Sequence, residues 1–219
     1  MGLGRGRLSL HATPEGAHAI VLFVRDLVAR MGTTTRIDWH GHQDRGLGVA
    51  NVLAAIAAGA DRVHGTALGI GERCGNTPLD TVLVNLKLLG LMDHDMTALR
   101  NYVMLASEIF GIPIPVNWPV FGADAFRTAT GVHASAVSKA LAKGDPWLAD
   151  RVYSSVPADW FGLRQIIEIG PMSGVSNVIY YLKARGVEPE RAVVDRILAH
   201  AKTSHRVLHE YEVMSMVGR

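Results

Sequence analysis

Apolar residues recur at helical spacing in the first third of the chain. Ile20, Val21, Val24, Leu27 and Val28 form one stripe that stops at Gly32. Thr13, Pro14 and Glu15 precede it: a hydroxyl to cap free N–H groups, a proline for the first turn, and an acid at the positive end of the dipole. "RIDWHGH" then reads as a short strand, and Val49, Val52, Leu53 and Ile56 mark a second helix over 46–58. "DRVHGTALGIG" follows as a strand entering a glycine-rich loop. Thr77, Pro78 and Asp80 open a third helix, whose stripe through Val82, Leu83, Leu86 and Leu89 ends at Gly90. A fourth helix is expected over 96–110.

Helices alternating with short strands across short connections predict an α/β fold with parallel pairing. "GIPIPVNWPVFG" interrupts the pattern, because three prolines in seven residues cannot continue a helix; it reads as a linker or extended crossing. Beyond it the expected elements are a glycine-bounded helix in "TGVHASAVSKALAKG", a loop around "YSSVPADWFG", a strand in "RQIIEIG", and helices beginning near Ser173 and Pro189. The chain shows neither an internal repeat nor a low-complexity tract.

Composition narrows the function classes. At 219 residues, 48% hydrophobic and +2 net charge, the chain describes a globular protein of one domain or slightly more. Its basic residues are interspersed with acids rather than gathered in a stripe, which argues against nucleic acid as a partner. The basic opening "MGLGRGRL" reads as a frayed terminus. No run of about 18 uncharged apolar residues suggests a membrane span, and no apolar stretch near the start suggests a secretory signal. The expected setting is the cytoplasm, with which a single cysteine, Cys74, agrees.

Two stretches carry candidate chemistry. In "DWHGHQDRG" His40 and His42 are two residues apart, so on a strand both imidazoles face one side. Such a pair is able to share one divalent ion, although at least one more protein ligand is needed to complete the site. The competing reading is one packed core histidine and one surface histidine; Asp44 and Arg45, just past the strand end where α/β sites form, tilt against it. "HGTALGIGERCGNTPLD" runs from strand to glycine-rich loop to helix, exposing backbone N–H groups to an anion, while its polar set Glu72, Arg73 and Asn76 exceeds what a tight turn needs. Cys74 has no base beside it in sequence and reads as a small packing residue. His133, near a helix start, is either a proton carrier or a surface residue, and its neighbours do not choose between them.

Together, "DWHGHQDRGLGVANVLAAIAAGADRVHGTALGIGERCGNTPLD" closely resembles the C-terminal part of the catalytic barrel in the 2-isopropylmalate synthase and homocitrate synthase family, whose relatives include citramalate synthase and hydroxymethylglutaryl-CoA lyase. "FRTATGVHASAV" and "IEIGPMSGVSNV" resemble the segments that follow the barrel in the synthases, which favours a synthase over the lyase. The resemblance runs from about residue 12 to the end. It implies a partial (β/α)8 TIM barrel, its last two βα units, over 1–111, followed by a linker and a mainly helical C-terminal subdomain over 112–219.

The resemblance further implies that His40 and His42 bind a divalent metal (Mg, Mn or Zn), with Asn76 as a direct or water-linked ligand. It places Gly69, Gly71, Glu72, Arg73 and Gly75 at the acetyl-CoA end of the pocket, and makes His133 a proton-transfer residue delivered by the partner subunit of a homodimer. The implied reaction is a Claisen-type condensation of acetyl-CoA with a 2-oxo acid, 2-oxoisovalerate being the commonest in the family, for leucine biosynthesis. The family's D-R-E-type motif, which supplies an aspartate ligand, does not occur in this sequence, and "GRGRLSLHATPEG" lacks the aspartate-threonine pair expected before "ATPEG". The expectation is therefore a truncated or frame-disrupted gene, or one piece of a split enzyme. Such a chain would be inactive alone, would associate or aggregate through uncovered strand edges, and would need a complementing N-terminal barrel half. The family's leucine-sensing domain is also expected to be absent.

Overall fold

The computed structural model describes residues 13–218. The basic opening "MGLGRGRL" and the point where an aspartate-threonine pair was expected lie outside the described residues. Within them the chain divides into two compact units, one of residues 13–94 and 101–114, the other of 95–100 and 115–218.

The first unit begins with helix α1 (Pro14–Arg30), entered as the sequence predicts: Thr13 Oγ1 accepts the Gly16 N–H at 3.3 Å. Strand β1 (Asp38–Trp39) pairs in parallel with β2 (Arg62–Val63), and α2 (Gly48–Ala57) is the crossover between them. The register is Asp38 to Arg62 and Trp39 to Val63. α1 and α2 pack through Val21, Ala55 and Ala58, against which Ile37 and Trp39 lean. Two polar contacts tie the crossover down: Asp61 accepts the Ile37 N–H at 2.8 Å, and Arg25 donates to the Gly59 carbonyl at 2.6 Å. α3 (Leu79–Leu88) and α4 (Leu99–Phe110) follow. On this unit Phe23, Leu105, Ile109 and Phe110 are exposed.

Several boundaries differ from the sequence pattern. The strand in "RIDWHGH" stops at Trp39, so His40 and His42 lie beyond it, in backbone that His42 re-enters only through an antiparallel bridge to Asn76. Thr77 does not cap α3. Pro78 holds the cap position, while Thr77 is fully buried with its hydroxyl donating to the Gly41 carbonyl at 3.4 Å, because the loop folds back over the β1 exit.

The second unit contains a parallel pair, β3 (Arg127–Thr128) with β4 (Ile166–Ile167); β4 lies in the strand expected in "RQIIEIG", and β3 was not expected. Between them lie α5 (Gly131–Ala142) and α6 (Pro146–Arg151), the latter capped by Asp145, whose carboxylate accepts the Leu148 N–H at 2.8 Å. α7 (Val175–Lys183), α8 (Arg191–Thr203) and α9 (Glu210–Val217) complete the unit around a core of Ile169, Val178, Leu182, Val194, Ile197, Leu208 and Val213. The turn in "GPMSGVSN" is fixed by side chains. Ser173 donates to the Ala129 carbonyl at 2.7 Å, Asn177 accepts the Gly174 N–H at 3.0 Å, and Lys202 Nζ donates to the Ser173 carbonyl at 2.7 Å.

Glu212 caps the start of α9 by accepting the His209 N–H at 2.7 Å and pairing with Arg206 at 2.7 Å. The Arg206 guanidinium, then the His209 N–H, pull its carboxyl from 4.5 down to about 2. A folded pKa below the unfolded one means a contribution present above 4.5 and lost as pH falls toward 2. Between those values the α9 amides should lose exchange protection while the α8 amides keep theirs; Glu212→Gln should remove that pH dependence.

Candidate active site

The site is built at the exit of the first parallel pair. Extending the register by one step sets His40 beside His64, and their rings meet edge to face at 5.5 Å between centroids. His64 Nε2 lies 3.5 Å from Asp38 Oδ2. His42 turns back toward His40, so that the two rings stand at 83° with their Nε2 atoms 3.4 Å apart. That separation is long for a hydrogen bond between ring nitrogens. It matches two imidazoles on one tetrahedral ion, whose nitrogens at about 2.0–2.1 Å from the metal lie ~3.3–3.4 Å apart. His42 Nδ1, the atom through which a metal-bound imidazole is ordinarily oriented, is buried without a hydrogen-bond partner, so the fit rests on the Nε2 spacing. The donor pair therefore fits a divalent ion. Among the described residues no group of three His, Cys, Asp or Glu side chains gathers to hold one, so the described residues offer the two imidazoles.

The glycine-rich loop packs against this pair. Asn76 donates its main-chain N–H to the Gly69 carbonyl at 2.8 Å and its side-chain amide to the Ile70 carbonyl at 3.2 Å. Gln43 N–H donates to the Gly75 carbonyl at 3.0 Å, and Gln43 Oε1 accepts the Gly48 N–H at 2.7 Å, fixing the entry to α2. The glycines are demanded by space. Gly75 has φ +88° and a Cβ there would run into the Gly69 carbonyl oxygen; a Cβ on Gly71 would run into the Asn76 side-chain amide. Gly75→Ala should thus cost about 1–3 kcal/mol of unfolding free energy, measured by urea denaturation, with the His42 and Asn76 amide resonances shifted most.

Arg73, at φ +58°, reaches across to Asp44 at 3.1 Å and to Glu72 at 3.1 Å. Its guanidinium holds the Asp44 carboxyl below the usual carboxylate range. These charges latch the loop to the segment after His42. Cys74 is exposed in the same loop.

Of the residues singled out in the sequence, the first unit brings together His40, His42, Gly69, Gly71, Glu72, Arg73, Gly75 and Asn76. His133 belongs to the second unit. There it sits in the first turn of α5, stacked on Tyr153 with ring centroids 4.0 Å apart and Nδ1 3.3 Å from Thr128 Oγ1, beside a cavity of about 240 Å³ that Arg127 and Gln165 also line. Sequence reasoning passed over His64, Gln43 and Asp80. The strand register gives away His64; Gln43 and Asp80 act on backbone amides, for which the sequence holds no spacing signal.

Residues 11–105 match the profile of the HMGL-like family. This stretch of the chain is HMGL-like. The chain is 34% identical over 197 residues to homocitrate synthase AksA of Methanopyrus kandleri, covering 88% of this chain and 47% of that protein. It is 36% identical over 168 residues to (R)-citramalate synthase of Aquifex aeolicus, covering 72% and 30%. A third relative, named "Probable 2-isopropylmalate synthase", from Ignicoccus hospitalis, is 34% identical over 192 residues, covering 87% and 45%. The HMGL-like segment contains every candidate residue of the first unit. This chain spans at most about half the length of these relatives.

Proposed function

We propose that the chain forms part of a metal-dependent acyltransferase that condenses acetyl-CoA with a 2-oxo acid, together with a complementing N-terminal barrel half. In this reading the first unit is the last two βα units of a TIM barrel, and the second is the helical region that follows it. The relatives' names, homocitrate, citramalate and 2-isopropylmalate synthase, support the reaction class. 2-Oxoisovalerate is the first substrate to try and leucine biosynthesis the corresponding role; a homocitrate or citramalate synthase is supported equally. The observation that carries the reading is the 3.4 Å approach of the His40 and His42 Nε2 atoms beside the loop bearing Asn76.

A bound divalent ion supplies Lewis-acid polarisation of the oxo carbonyl. His40 and His42 would hold such an ion, with Asn76 as a direct or water-linked ligand. The loop from Gly69 to Gly75 borders the acetyl-CoA end of the pocket, with Glu72 and Arg73 ordering it. His133 carries a proton, delivered from a second subunit of a homodimer. The setting is cytoplasmic; among the described residues no helix is long and apolar enough to cross a membrane.

A second reading is a non-catalytic dimerising module, favoured by the lack of a third His, Cys, Asp or Glu donor among the described residues. The test is complementation. The chain is mixed with the N-terminal half of a relative's barrel, and thiol release from acetyl-CoA is followed with Mn²⁺ and pyruvate, 2-oxoisovalerate or 2-oxoglutarate in turn. Turnover dependent on both pieces, and lost in His40→Ala, supports the acyltransferase. A folded, associated mixture with no turnover on any of the three acids supports the module.

A further inference from the structure

The first unit buries a carboxylate that the proposed chemistry does not use. Asp80, in the first turn of α3, is fully buried, and its Oδ1 accepts the Leu68 N–H at 2.7 Å. Leu68 is one of three non-glycine residues with positive φ among those described, at φ 55° and ψ 12°. A leucine there is strained, because its Cβ crowds the backbone in the left-handed region. A short hydrogen bond from the Leu68 N–H to a side-chain oxygen in the first turn of a helix is the kind of contact that offsets such strain.

What the strained turn presents is its carbonyls. With Leu68 held left-handed, the Gly69 and Ile70 carbonyls both accept hydrogen bonds from Asn76. Gly69 takes the Asn76 N–H at 2.8 Å, and Ile70 takes both the Asn76 side-chain amide at 3.2 Å and the Thr66 hydroxyl at 2.7 Å. Asn76 is in turn bridged to His42.

We propose that Asp80 is a positioning residue: its buried carboxylate locks the 66–70 turn and thereby sets the pose of Asn76 beside His42. The consequence for the ion rests on the metal reading above; the consequence for the turn does not.

The experiment uses the full chain, isotopically labelled, and follows amide exchange by NMR together with line broadening by Mn²⁺ alone. In Asp80→Ala the Leu68 and Asn76 amides should exchange about tenfold faster or more, with α1 amides unchanged, and broadening at His42 and Asn76 should need about tenfold more Mn²⁺. Asp80→Asn, which keeps an acceptor oxygen, should restore most of the Asn76 protection. Adding Leu68→Gly to Asp80→Ala should also restore it, because glycine holds the left-handed turn unaided. Unchanged Asn76 exchange in Asp80→Ala, or no recovery in the double variant, overturns the proposal. If Asp80→Ala does not fold, recovery of the fold by Leu68→Gly supports the proposal and failure to recover it overturns it. Absence of Mn²⁺ broadening in the unsubstituted chain sinks the metal reading alone, and the exchange data still decide the role of Asp80.

Discussion

Replacing His42 by alanine is expected to weaken Mn²⁺ or Zn²⁺ binding by more than the ~100-fold that follows loss of a supporting contact around a metal, leaving no measurable binding by calorimetry. In the proposed site two nitrogens 3.4 Å apart would act as a chelate, so deleting one would remove the advantage that the fold has prepaid by fixing both. His40→Ala should behave alike. His64→Ala should not: its ring touches His40 without sharing the Nε2 cluster, and a loss below tenfold is expected. A His64 effect as large as that of His42 would mean that the ion sits on the strand side of His40 and that the assignment of His42 is wrong. The fold should survive all three changes, because the apolar contacts of the unit run through Val21, Ala55 and Ala58 and not through the imidazoles.

The largest loss of stability is expected in the second unit, from Leu182→Ala. Leu182 is fully buried and packs in one cluster with Val178, Val194, Ile197 and Val213, contributed by three different helices. Truncation removes the transfer free energy of its side chain and leaves a cavity that helices tied by Lys202 and Ser173 cannot close, a cost of about 2–5 kcal/mol. Denaturation followed by tryptophan emission reads this directly, since Trp118, Trp147 and Trp160 lie in this unit and Trp39 in the other. Two transitions are expected, and the substitution should move the one reported by the three tryptophans. A single transition shifted as a whole would show that the two units unfold together.

How much of this was legible in the sequence follows from the range of the forces involved. α1 and α2 were readable because their stripes and caps are local: Thr13 and Pro14 act within one turn, and Gly59 ends what Val52 and Ile56 begin. The α/β class followed from the alternation of those elements. β3 was not readable, because Arg127 and Thr128 become a strand only through partners about 40 residues away. α6 falls between the expected glycine-bounded helix and the expected loop, where no element was read although Asp145 and Pro146 mark its start, and α9 lies beyond the last expected helix. In the site, the HxH spacing drew attention to His40 and His42, although the strand that justified the inference ends before both; they converge where His42 bridges to Asn76. His64 and Asp80 needed register and burial, neither of which is written in a run of letters.

The narrowness of the β1–β2 ladder has an evolutionary corollary. Two residue pairs alone decide which imidazole sits next to His40. Losing one amino acid between Ala58 and Arg62 would slide Gly65 into the berth of His64 and swing alternate side chains to the opposite face. Length variation among natural homologues should accordingly be purged from that short connection while remaining free in the segment between α3 and α4, where no ladder is keeping count.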